Sequence, residues 1–172
     1  MGCDGPWQSV CLISSIRRSR RRRRSASYWC PVTALAMLSQ FYRSTDGLSA
    51  FEAGPRLFNP NMRHDAVVVR GATLYMFWTQ VRDAPERILV STIDLRAEWM
   101  QWQASAPVEV LRPERAWEGA EAPLEPSIRS TAYELVNQMR DPAIYLEGAH
   151  VFLLYAVAGE SGIALEVFFD SA

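Results

Sequence analysis

The chain has 172 residues, enough for one sizeable core, with 49% hydrophobic residues and a formal net charge of −1. That balance gives no global field toward nucleic acid or a membrane surface, and no apolar run approaches the roughly 20 residues of a transmembrane helix. All 18 basic residues are arginine, a bias that points to a GC-rich coding sequence more than to a function.

Taken in chain order, the first segment is residues 1–33, a disordered arginine-rich leader by composition. Cys3, Cys11 and Cys30 all fall here, and their spacing matches neither a zinc site nor a disulfide framework. Val10-Cys11-Leu12-Ile13 precedes the arginines, the reverse of a secretory signal, so a cytoplasmic location is favoured. Gly2 invites a myristoylation reading, but Pro6 stands where serine or threonine is needed. Three readings of Arg17-Arg18-Ser19-Arg20-Arg21-Arg22-Arg23-Arg24 are open. It is out-of-frame sequence rather than native coding, a solvated tail, or a nucleic-acid arm. They rank in that order, because nothing downstream offers a basic patch or a stacking platform.

The next elements are strands. Ala66–Val69 is apolar and β-branched. Arg70-Gly71 is a two-residue turn with glycine second, and Thr73–Thr79 returns as an aromatic and aliphatic strand suited to burial on both faces. Arg87–Ile93 is a third strand, and the segment after it has room for a fourth. Tyr133–Val136 is mildly helical by propensity. A second set of strands follows at Ala143–Leu146, His150–Val157 and Gly162–Phe168, with Glu147-Gly148 at the turn.

The two sets are copies of one unit. Arg63–Trp78 superposes on Arg140–Tyr155 without a gap, at an offset of 77 residues, with arginine, alanine, glycine and alanine identical at matching positions. The competing explanation is two unrelated hairpins sharing turn chemistry. Four-stranded meanders repeated about an axis are propeller blades.

Further strings carry a family resemblance. They are Ala34–Met37, Gln40–Ser44, Asp46-Gly47-Leu48, Gly54–His64, Asp83–Leu89, Trp117–Ala120, Val136–Ile144 and Ala158–Ala164. Across residues 34–172 the chain resembles a bacterial branch of the five-bladed β-propeller proteins related to the family 43 and family 32 glycoside hydrolases. The resemblance implies an all-β fold, an incomplete five-bladed propeller of two full antiparallel blades plus part of a third. It places Tyr133–Val136 in a loop. It also implies a fragment of a carbohydrate-active protein that lacks the blade carrying the catalytic base, is inactive alone, and aggregates or needs the missing blades.

In such a ring, Arg63-His64-Asp65 and Arg140-Asp141-Pro142 form the loops leading into the innermost strands, at the mouth of a central channel. The resemblance makes Asp141 the aspartate that holds sugar hydroxyls, with Arg140 orienting it or binding an anionic substituent. The alternative is an aspartate bonding loop amides beside Pro142. Glu118, in Trp117-Glu118-Gly119, resembles the glutamate of the family's general acid, although Ala120 replaces the usual proline. The plainer reading is a surface glutamate on a loop. His64 and Asp65 orient substrate at the other loop, or His64 is held by backbone groups. Trp117 offers a face for a sugar ring, whereas Trp99 and Trp102 read as packing residues. No phosphate loop, nucleophile elbow or metal cluster is present, and no cofactor is implied. Three functions follow: a glycosidase-like hydrolase with paired carboxylates, a non-catalytic carbohydrate-binding or scaffold propeller, and, ranking last, nucleic-acid binding through the arginine tract.

Overall fold

Strands that alternate apolar side chains between two faces demand a layer on each face, and the chain supplies three layers for that purpose. The computed structural model describes residues 28–32, 40–44, 48–148 and 150–169; the arginine tract and most of the leader lie outside them. Every sheet is an antiparallel meander of consecutive strands, and none closes into a barrel. The first sheet holds β1 (Tyr28–Val32), β2 (Gln40–Ser44) and β3 (Glu52–Arg56). The second holds β4 (Met62–Arg70), β5 (Thr73–Gln80), β6 (Ile88–Asp94) and β7 (Val108–Leu111). The third holds β8 (Arg140–Glu147), β9 (His150–Val157) and β10 (Gly162–Phe169). β7 fills the expected fourth-strand position. Tyr133–Val136 is loop, as the resemblance implied and against its helical propensity. Among the described residues no helix is long and apolar enough to cross a membrane.

The central strand β5 shows why the second sheet sits in the middle. Leu74, Met76 and Trp78 point to one face and join Phe41, Trp99 and Trp102 in a cluster against the first sheet. Phe77 points to the other face and meets Val68, Ile88, Met139, Leu153 and Val157, the core shared with the third sheet. Trp99 and Trp102 are therefore packing residues, edge-on to each other with ring centroids 6.2 Å apart.

The repeat is stronger in the backbone than in the side chains. β4 to β6 and β8 to β10 pair in the same antiparallel order. Left-handed residues recur at the same offset: His64 and Asp141 at φ 48° and 50°, Gly71 and Gly148 at 57° and 60°, Arg82 and Gly159 at 78° and 79°. The hairpin detail differs from expectation. Arg70 pairs with Thr73 and Glu147 with His150, so glycine is the first, not the second, of the two loop residues. In the first copy the positive φ is confined to the first position, the signature of a type II′ turn, where glycine carries no steric penalty.

The first strand of each copy also begins earlier than expected. Arg63-His64-Asp65 and Arg140-Asp141-Pro142 lie within β4 and β8, not in loops before them. Each of these two strands has a register shift there, between Arg63 and Asp65 and between Arg140 and Ala143. One extra residue reverses the parity of side-chain direction. Met62 and Val67 consequently share one core face although five positions apart, as do Met139 and Ile144 on the other.

Candidate functional site

The extra residue of each bulge is the one forced into the left-handed region, and it projects away from the ladder. In β4 that residue is His64 and in β8 it is Asp141. The two bulges face each other, so His64 Nε2 lies 3.3 Å from Asp141 Oδ1. The Asp141 side chain is 49% exposed and the His64 ring 27%. The aspartate thus reaches the histidine, and the alternative in which it bonds loop amides is not the arrangement seen.

Beneath this pair lies a buried ionic group. Arg63 and Arg140, the residues preceding each bulge, are 6% and 2% exposed, and Glu86 is fully buried between them. Glu86 comes from the loop before β6, which is clamped to the strand leading into β8 by the amide of Met139 bonding the Glu86 carbonyl at 2.9 Å. Arg63 donates to both Glu86 oxygens, Nε at 2.8 Å and a terminal nitrogen at 2.5 Å. Arg140 Nε sits 3.5 Å from Glu86 and has further partners: Gln138, the Ser130 carbonyl at 3.1 Å and Glu160 at 3.1 Å. Counted from the start of the third strand, Glu86 and Glu160 are equivalent, each two residues ahead of it. Each copy pairs its first-strand arginine with its own loop glutamate, and Glu86 also spans the two copies.

Burial holds the His64 imidazole below its ordinary value of 6.5; Asp141 opposes this, Arg63 adds to it, Glu86 opposes and Arg140 adds. A neutral ring at pH 7 presents Nε2–H to Asp141 and leaves Nδ1 toward the Thr79 hydroxyl at 3.5 Å. The arrangement offers a ligand one exposed carboxylate in a fixed orientation, with a neutral imidazole beside it. Asp65 follows the first bulge, partly buried and opposite Trp78 in the ladder. Among the described residues no group of three or more His, Cys, Asp or Glu side chains is placed to hold a metal ion.

Glu118 and Trp117 stand elsewhere. They line a cavity of about 500 Å³ between β7, the loop after it, and β9 and β10. Trp117 is 53% exposed. Glu118 is not the surface glutamate expected of it: it is buried, and its Oε2 accepts the amides of Glu114 at 2.8 Å and Arg115 at 2.9 Å. The structure therefore gathers Arg63, His64, Arg140 and Asp141 at one place and sets Glu118 with Trp117 at another. Glu86, Gln138, Glu160 and Thr79 escaped the sequence reading as site residues. Aligning the copies on their third strands would have flagged the two glutamates.

No family model matches the chain. It is 36% identical over 143 residues to an uncharacterised protein of Acanthamoeba polyphaga mimivirus, a match covering 74% of this chain and 40% of that protein. The chain thus spans well under half the length of this relative, which is viral where the resemblance had pointed to a bacterial branch.

Proposed function

We propose that the sheets are blades of a β-propeller in a glycosidase-like protein, and that the bulge pair His64–Asp141 is a carbohydrate-binding site. The observation that supports this is the meeting of repeat-equivalent residues. The openings of two neighbouring inner strands converge on one polar spot, as they do at the mouth of a propeller channel. A half-exposed carboxylate accepts from vicinal hydroxyls, the imidazole holds it in orientation, and the buried arginine–glutamate group fixes its position.

Binding fits these residues better than hydrolysis does. Glycoside hydrolysis takes two carboxylates that reach the substrate. Asp141 reaches solvent, while Glu86 is enclosed by Arg63 and Arg140 and cannot touch a sugar. Glu118 caps backbone amides in the separate cavity. Hydrolysis by a larger assembly belongs to this proposal only as the setting in which the site works.

The test is a glycan panel probed with the full chain, followed by calorimetry on the best ligand. Asp141→Ala should weaken binding by about tenfold or more, because a charged hydrogen-bonding group is lost, with the circular dichroism spectrum unchanged. Absence of any bound glycan at millimolar concentration, or binding indifferent to Asp141→Ala, defeats the reading.

A further inference from the structure

The cavity holding Glu118 and Trp117 carries an inference independent of the carbohydrate proposal. Its volume, about 500 Å³, lies in the range of small-ligand pockets. It opens between β7 with the loop after it and strands β9 and β10 of the third sheet. Its walls hold four glutamates, at 109, 114, 118 and 166, against two arginines, at 112 and 115. Arg112 is occupied by both carboxylate oxygens of Glu109, at 2.5 and 2.6 Å. Arg115 stacks its guanidinium over Trp117, 5.8 Å from the ring centroid. That contact shows the indole face accepting a flat organic cation.

A second observation marks the pocket as built for an occupant. Tyr155 lines it and is only 3% exposed as a whole residue, while its hydroxyl makes no hydrogen bond to the described residues and is not sealed from solvent, so the phenol is held by packing with its polar end open to the cavity. The hydroxyl sits among the pocket's charges: burial raises its pKa, the carboxylates of Glu118 and then Glu166 raise it further, and Arg115 opposes them. Glu118, also buried, uses only Oε2 for the backbone, leaving Oε1 without a partner among the described residues. The wall thus presents a spare carboxylate oxygen, an unmatched phenol and a second carboxylate, Glu166, with an indole at the rim.

We infer that this cavity binds a small organic cation, a guanidinium or primary ammonium compound. Its charged head would lie between Glu118, Glu166 and the Tyr155 hydroxyl, with its stem against Trp117. Donors on the ligand match acceptors on the wall, and the excess of carboxylates over guanidiniums favours a cation over a neutral polyol.

The probe is agmatine, which carries both head groups, titrated calorimetrically into the full chain at low and moderate salt. Saturable one-to-one binding that weakens with salt is expected. Tyr155→Phe and Glu166→Gln should each raise Kd about five- to tenfold. Near-ultraviolet circular dichroism checks that the packing survives. Asp141→Ala should leave agmatine binding unchanged, which separates this site from the bulge pair, and glucose should not compete. Absence of saturable agmatine binding, affinity unaffected by both Tyr155→Phe and Glu166→Gln, or displacement by glucose overturns the assignment.

Discussion

Replacing Glu86 by glutamine keeps the shape of the junction between the two copies and removes its charge. Arg63 bears most of the consequence. It is 6% exposed, both oxygens of its carboxylate partner belong to Glu86, and the substitution leaves a buried guanidinium without a counter-charge. Arg140 is better protected, because its contact to Glu86 is long and Gln138, Ser130 and Glu160 remain. The loss is therefore that of one broken buried pair, about 3–4 kcal/mol. Equilibrium urea unfolding, followed by tryptophan fluorescence, reads this directly. The double substitution Arg63→Met with Glu86→Leu removes both charges together and should recover most of the loss, to within about 1–2 kcal/mol of the parent. A Glu86→Gln variant destabilised by less than about 1 kcal/mol, or a double variant no better than the single, would refute the claim that the buried pair joins the copies.

Two further outcomes follow from the same geometry. Because burial depresses the His64 pKa, the unfolded chain binds the proton more readily; the His64 contribution to stability is full above 6.5 and is lost as the pH falls toward the depressed value. Urea midpoints should fall below pH 6.5 and fall less in His64→Asn, since asparagine tolerates the left-handed backbone; identical pH profiles would contradict this. Gly119→Ala should destabilise by about 2–3 kcal/mol. Its φ is +92°, and a Cβ there would stand 2.4 Å from the Val136 carbonyl oxygen and 2.9 Å from the Ala158 Cα. A thermal midpoint equal to that of the parent would show that the loop carrying Glu118 can shift without penalty.

The sequence revealed most where one rule governs a whole segment. β5, β9 and β10 are apolar runs between marked turns, and their bounds agree with that reading to within a residue. β4 was read as Ala66–Val69 because the bulge at His64 breaks the alternation just where Met62 to Asp65 enter the sheet. The first sheet went unread for a different reason. Its strands have five residues each, and two contain proline, Pro31 in β1 and Pro55 in β3. Proline argues against a strand unless the strand is an edge, and both lie at edges.

The same contrast holds for the site residues. Arg63, His64, Arg140 and Asp141 stood out because the repeat places them at equivalent positions. Glu86 did not, because its partners lie in other strands, Arg63 at 23 positions' separation in the hydrogen-bonded pair, and no local pattern encodes that distance. Tyr155 was hidden in an apolar strand, where its ring satisfies the pattern and its hydroxyl leaves no trace. Glu118 read as a surface residue because loop glutamates usually are; the amides that bury it belong to Glu114 and Arg115, neither remarkable in sequence.

The bulges themselves argue that the junction is more than a consequence of folding. A left-handed conformation costs a non-glycine residue about 1–2 kcal/mol. The hairpin turn avoids that penalty in both copies by using glycine, at positions 71 and 148, yet the bulge avoids it in neither. Histidine and aspartate stand there instead, at nearly identical φ but with different side chains, and they meet each other. A purely structural bulge could take glycine in both copies, retaining the backbone without the strain. What glycine cannot supply is an imidazole directed at a half-exposed carboxylate. The shared backbone holds two side chains together, and their difference makes the resulting surface asymmetric, with a carboxylate and a neutral ring available to one ligand.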